Sequence, residues 1–168
     1  MNNLPVILLL VLAAFVAAEN LSDEFFGRFD IDRSENFEEY MEEKGCGEDY
    51  HKGMGSSVRR LMRKNQTGAD TFDFDNLTTK KDLHYKNIKL GEEFVGEGLD
   101  GSDHKITFSY RDGILYEKHV PTDSDVSWTN CDIQAEQKED EYRFQIIDGE
   151  LVQTLQYNGV VAKRYFKK

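Results

Sequence analysis

The chain has 168 residues, a formal net charge of −11, two cysteines and two prolines. That length suffices for one domain with a true core and is too short for two. The acidity argues against a nucleic-acid partner and for a self-repelling monomer, and two cysteines are too few for a disulfide-stapled scaffold or a four-ligand zinc site.

Met1 to Ala18 contain no Asp, Glu, Lys or Arg, and Leu4 to Phe15 is an apolar run that gives way to the small residues Val16-Ala17-Ala18. This predicts a secretory signal peptide over residues 1–18, cut before Glu19, rather than a transmembrane anchor, which needs about 20 apolar residues and basic flanks. Residues 19–168 are then one extracellular domain. In that setting the sequons at Asn20, Asn65 and Asn76 become candidate glycosylation sites.

Gly27 to Arg33 alternates, with Phe29 and Ile31 opposite Arg28, Asp30 and Asp32, which predicts a half-buried strand. Ser34 reads as a helix N-cap. Phe37, Tyr40 and Met41 recur at helical spacing, and Gly45 is placed to stop the helix. A second short helix is expected from Glu48 to about Met62. The basic residues there and just after, Arg59, Arg60, Arg63 and Lys64, make a candidate face for transient contact with anionic membranes, the alternative being an ordinary solvated face.

The rest of the chain predicts strands and tight turns. Asp112-Gly113, Asp148-Gly149 and Asn158-Gly159 are the dipeptides that supply the positive-φ positions of two-residue hairpins. Between them, Ile106, Phe108 and Tyr110 share one face of a strand, and Tyr142, Phe144 and Ile146 share another. One strand, a helical pair and a long series of short hairpin-linked strands describe an all-β, up-and-down antiparallel sheet. Closure into a barrel removes its edges and leaves the helices across an open end.

In the last strand Val160, Ala162, Arg164 and Phe166 share a face, and Lys163 and Lys167 mark the other as solvent. Arg164 therefore points inward, where a lone guanidinium is costly and needs an anion or a set of acceptors. A neighbouring inward acid and a bound carboxylate ligand both satisfy that requirement. No enzyme signature accompanies it: Gly53-Met54-Gly55-Ser56-Ser57 lacks nucleophile-elbow spacing. His51, His84, His104 and His119 form no metal-binding pair and are expected at the surface. Trp128 is expected to pack under a loop. No catalytic residue, cofactor or metal is implied.

From Phe25 onward the chain resembles the fatty-acid-binding proteins of the intracellular lipid-binding (calycin) family. The residues that carry the resemblance are Phe26-Gly27-Arg28-Phe29, Ser34-Glu35-Asn36-Phe37-Glu38-Glu39-Tyr40-Met41, Leu90-Gly91-Glu92-Glu93-Phe94 and Ile147-Asp148-Gly149-Glu150-Leu151. Asn76 to Asp82 and His104 to Phe108 are similar to the secreted nematode members in particular. The resemblance implies a ten-stranded barrel with a helix-turn-helix lid between the first two strands. Its cargo would be a long-chain fatty acid, with a retinoid next, carried outside the cell. It implies a cavity lined by Phe37, Ile106, Phe108, Tyr110, Phe144, Ile146, Ala162 and Phe166.

The family anchors the carboxylate with Arg-x-Tyr in the last strand and a second Arg two strands earlier. Here Arg164 matches, but Phe166 replaces the Tyr and Phe144 the second Arg, so Arg164 with Tyr142 is the expected anchor. Strand counting in such a barrel places Cys131 at the lid end near Cys46, where the two form a disulfide or remain separate thiols. The rival readings are a lipocalin-like carrier, against which the inserted helices count, and a secreted protein-interacting factor with a vestigial cavity.

Overall fold

The computed structural model describes residues 20–46, 57–63, 71–122 and 140–168. Ten antiparallel strands form one sheet: β1 (Gly27–Glu35), β2 (Ser57–Arg63), β3 (Thr71–Thr78), β4 (Asp82–Lys89), β5 (Glu93–Glu97), β6 (Asp103–Arg111), β7 (Ile114–Pro121), β8 (Asp140–Ile147), β9 (Glu150–Tyr157) and β10 (Val160–Lys167). Each pairs with its sequence neighbour except across the β4–β5 step, and β1 pairs with β10, giving the order β4-β3-β2-β1-β10-β9-β8-β7-β6-β5. The barrel is closed except for a seam between β4 and β5.

Side chains span that seam. Tyr85 of β4 donates its hydroxyl to the Glu97 carbonyl of β5 at 2.8 Å, and its ring meets Phe94 edge-on at 5.5 Å. Ion pairs Lys81–Glu97 and Lys89–Glu92 flank it. A Cβ at Gly96 would lie 3.1 Å from the Tyr85 ring, so the absent side chain there is what lets the tyrosine lie across the gap.

The three predicted hairpin turns have positive φ at both central residues, 52° and 74° at Asp112-Gly113, 52° and 82° at Asp148-Gly149, and 45° and 89° at Asn158-Gly159. The period-2 faces of β6, β8 and β10 also lie as the alternation requires, with Ile106, Phe108, Phe144, Ala162, Arg164 and Phe166 all buried.

Two local expectations are overturned. Ser34 does not cap the helix. Pairing with β10 carries β1 on to Glu35, opposite Lys163, and Asn36 takes the cap position in the left-handed region, its side-chain amide donating to the Val161 carbonyl. Ser57 to Arg63 is not helical but forms β2 against both β1 and β3; the remainder of the expected second helix lies outside the described residues.

One helix is described between β1 and β2: α1, Phe37–Glu43. It ends as expected at Gly45 (φ 70°), where Gly45 N–H donates to the Glu42 carbonyl and Cys46 N–H to that of Met41. This is the paired bonding that satisfies the last carbonyls of a helix, and Cys46 packs back on the helix. Tyr40 and Met41 face Leu155 and Ala162, covering one end of the barrel. Lys44 holds Asp140 of β8 at 2.7 Å, and Asn158 donates to Glu43 at 3.0 Å.

Candidate functional site

The barrel interior has two storeys. Away from the helix it is filled by Phe29, Leu61, Phe72, Phe74, Phe108, Leu115, Phe144, Leu151 and Phe166 in one apolar cluster. Ring pairs such as Phe74–Phe108 at 5.2 Å and Phe74–Phe144 at 5.9 Å leave it packed. Under α1 there is a chamber whose empty space, mouth included, is about 820 Å³. Phe37, Tyr40, Met41 and Leu155 roof it, and Arg59, Asn76, Glu117, His119, Tyr142, Gln153 and Arg164 line it.

Arg164 points inward as expected, 1% exposed, its guanidinium 4.6 Å from the Phe37 ring centre. The second cation comes from a residue read differently in the sequence. Arg59, expected on a basic outer face, is 2% exposed and lies inside the barrel. Its strand phase explains this: Ser57, Arg59 and Leu61 are the inward set of β2, while Arg60 turns outward to pair with Asp75 at 2.8 Å. The basic patch is thereby broken up, and Lys64 and the Arg63 side chain lie outside the described residues.

Arg59 donates to Ser57 Oγ at 2.7 Å, to its register partner Asn76 at Oδ1, and to Gln153 Oε1 at 3.3 Å. Its Nε is buried with no partner among the described residues. Both guanidinium groups flank Phe166, at 5.3 Å for Arg59 and 5.6 Å for Arg164. Burial pulls the Arg164 pKa down to about 9, with the charge of Arg59 adding to the effect. Burial likewise pulls Arg59 to about 10, against the opposing influence of Glu117. A guanidinium keeps its proton at neutral pH, so these shifts express the cost of two like charges in a low-dielectric chamber, a cost that a bound anion relieves.

The other expected residues divide clearly. Tyr142 lines the chamber and donates to Asp140 at 3.4 Å. Of the apolar residues expected to line it, Phe37 does so. Ile106, Phe108, Tyr110, Phe144, Ile146 and Phe166 face inward but belong to or pack on the large apolar cluster rather than line the chamber, and Ala162 is buried under the helix. Asn76 is 8% exposed and faces Arg59 inside the barrel, so the folded domain has no room for a glycan there. Asn20 is exposed; Asn65 and Cys131 lie outside the described residues.

Two histidines expected at the surface are buried instead. His119 bonds Glu117, and His104 bonds Asp100 at 3.1 Å. Burial opposes the Asp100 charge, yet the bonds from His104 and Ser102 outweigh it and hold the carboxyl below its ordinary range. His84 is half exposed, beside Asp75 on the outer wall. The inward phase of β6 and β7, set by Ile106, Phe108 and Leu115, was the sequence signal that could have placed His104, Glu117 and His119 inside.

A nearly closed ten-stranded barrel with an aromatic floor, a polar chamber and a helical roof defines a β-barrel of the ligand-enclosing kind. No family model matches the chain. It is 36% identical over 156 residues to fatty acid-binding protein homolog 2 of Caenorhabditis elegans, covering 93% of this chain and 91% of that one. It is 38% identical over 161 residues to homolog 1 of the same organism, covering 96% and 95%. Among solved structures it resembles As-p18, an extracellular fatty acid binding protein, with a TM-score of 0.75, 34% identity and coverage of 89% of this chain and 99% of that one. The chain belongs to the fatty-acid-binding protein family, whose members are lipid carriers rather than enzymes.

Proposed function

We propose that the protein is an extracellular carrier of one long-chain fatty acid, whose carboxylate sits between Arg59 and Arg164. The observation that carries this reading is the pair of buried guanidinium groups flanking Phe166 in one chamber. The cation missing from β8, where Phe144 stands, is replaced from β2. The floor is already packed, so the acyl chain runs from the arginines toward the roof of Phe37, Tyr40, Met41 and Leu155. Burying methylenes there contributes roughly 0.8 kcal/mol each, against about 1.5–3 kcal/mol for a charge-assisted hydrogen bond. The chain therefore dominates affinity and the arginines select acids.

The extracellular part of the proposal is supported by the apolar leader over residues 1–18 and by the likeness to As-p18. With it go cleavage before Glu19, a glycan at exposed Asn20, and a Cys46–Cys131 bridge that ties the roof to the β7–β8 connection. The bridge is supported by Cys46 having no free thiol and by Asp140, where β8 begins, being bound to Lys44 two residues before Cys46.

Two experiments test the reading. Solvent extraction of the purified secreted protein, followed by mass spectrometry, should release fatty acid in near-stoichiometric amount. Titration with a fatty acid and with its methyl ester should show Arg164→Gln and Arg59→Gln each weakening the acid by about 1–3 kcal/mol while leaving the ester nearly unchanged. Equal losses for acid and ester would assign the arginines to structure alone. Absence of extracted lipid together with no acid binding would favour the protein-interacting alternative.

A further inference from the structure

The chamber holds a second polar pole that the carboxylate does not need. Glu117 and His119, two apart on β7, both face inward at 4% and 7% exposure and bond each other at 2.9 Å between Oε1 and Nε2. A carboxylate accepts, so Nε2 carries the proton. That leaves Glu117 Oε2 and His119 Nδ1 without a hydrogen-bond partner among the described residues, on groups that line the chamber. Oε2 of the carboxylate is an acceptor, and so is Nδ1 of a neutral imidazole.

Glu117 is not simply the counter-ion of Arg59. The two influence each other electrostatically, yet no ion pair joins them among the described residues. The hydrogen bond of Glu117 goes to His119, whose ring is held among Tyr85, His104 and Tyr142 at 5.5–6.3 Å. A plain hydrocarbon chain laid along this wall would leave two buried acceptors unsatisfied.

We propose that the Glu117–His119 pair is a specificity site for a hydroxyl group on the acyl chain, and that the preferred ligand class is a hydroxylated long-chain fatty acid. This rests on the carrier reading above. The hydroxyl hydrogen meets Glu117 Oε2 or His119 Nδ1, so a keto group at the same carbon, which only accepts, gains nothing.

The test is calorimetric titration of the secreted protein with octadecanoic acid, with its monohydroxy isomers (near the carboxylate, mid-chain and near the methyl end) and with the matching keto acids. At least one hydroxy isomer should bind about tenfold more tightly than the parent acid, and its keto partner no more tightly than the parent. Glu117→Met and His119→Phe should each bring the hydroxy acid to within about twofold of the parent acid measured on the same variant. Hydroxy isomers all within about twofold of the parent in the unmodified protein would overturn the proposal, as would Glu117→Met weakening every acid equally. Failure of every acid to bind would instead overturn the carrier reading and this one with it.

Discussion

The two storeys of the barrel are built from the same strands, and on five of them the inward residues turn from polar to apolar at one height, whereas β6 sets Ile106 and Phe108 opposite His119 and Glu117. Going away from the helix, β2 reads Ser57, Arg59, Leu61; β3 reads Asn76, Phe74, Phe72; β7 reads His119, Glu117, Leu115; β9 reads Leu155, Gln153, Leu151; and β10 reads Ala162, Arg164, Phe166. Strand register stacks the polar members side by side, Arg59 with Asn76, Arg164 with Gln153 and Glu117 with Tyr142. The lesson is a division of labour along those strands: the aromatic storey supplies the apolar burial that stabilises the fold, and the storey beneath the helix bears an electrostatic cost, which the proposed carrier role assigns to binding.

The largest expected effect tests the first half of that division. Phe74→Ala, at a fully buried ring touching Tyr85, Phe108 and Phe144, should cost about 3–5 kcal/mol in urea unfolding. A loss below about 1 kcal/mol would mean the floor is loosely packed and open to ligand, and the two-storey contrast would collapse.

The upper storey should behave in the opposite sense. Arg164→Met removes a buried cation that burial and Arg59 both disfavour, so the ligand-free protein should lose less than about 1 kcal/mol or gain stability, while saturating fatty acid should raise its melting temperature less than it does for the unmodified protein. A destabilisation as large as that of Phe74→Ala would make Arg164 a member of the structural core.

The seam offers a finer test, because Tyr85 belongs to both storeys, its ring against Phe74 and its hydroxyl on Glu97. Tyr85→Phe keeps the ring and deletes one hydrogen bond, so it should cost about 0.5–1.5 kcal/mol by chemical denaturation. Hydrogen exchange should quicken at β4 and β5 and stay unchanged at β9.

The smallest expected effect is a pH dependence at the lid end. Asp100 has its carboxyl lowered in the folded protein, so it contributes stability that is present above the unfolded-state carboxyl pKa and lost as the pH falls through the lowered folded value. Asp100→Asn should flatten the acid limb of a stability-versus-pH curve and lower stability by a constant amount from neutral to alkaline pH, where the slope is unchanged. An unaltered acid limb would show that the His104 and Ser102 bonds do not favour the charged form.

What the sequence determined by itself was local: the period-2 faces, the three Asx-Gly hairpins, the stop at Gly45, and through them an up-and-down barrel with Arg164 inside. These follow from backbone geometry within a few residues, since alternate side chains of a strand must face opposite ways and a two-residue hairpin needs positive φ. Only the tertiary structure decided that Arg59 is the second cation, that Asn76 faces it, and that His104, Glu117 and His119 line the chamber. A polar residue in an inward phase looks the same in sequence as one in water until the partners that make its burial tolerable are known. Those partners come from other strands: Gln153 stands 94 residues from Arg59 and reaches it only when the barrel closes. The same closure set the height at which rings fill the interior, so residues of correct phase such as Phe108 and Phe144 became floor rather than cavity wall, because ring volume accumulates only when all the strands are brought together.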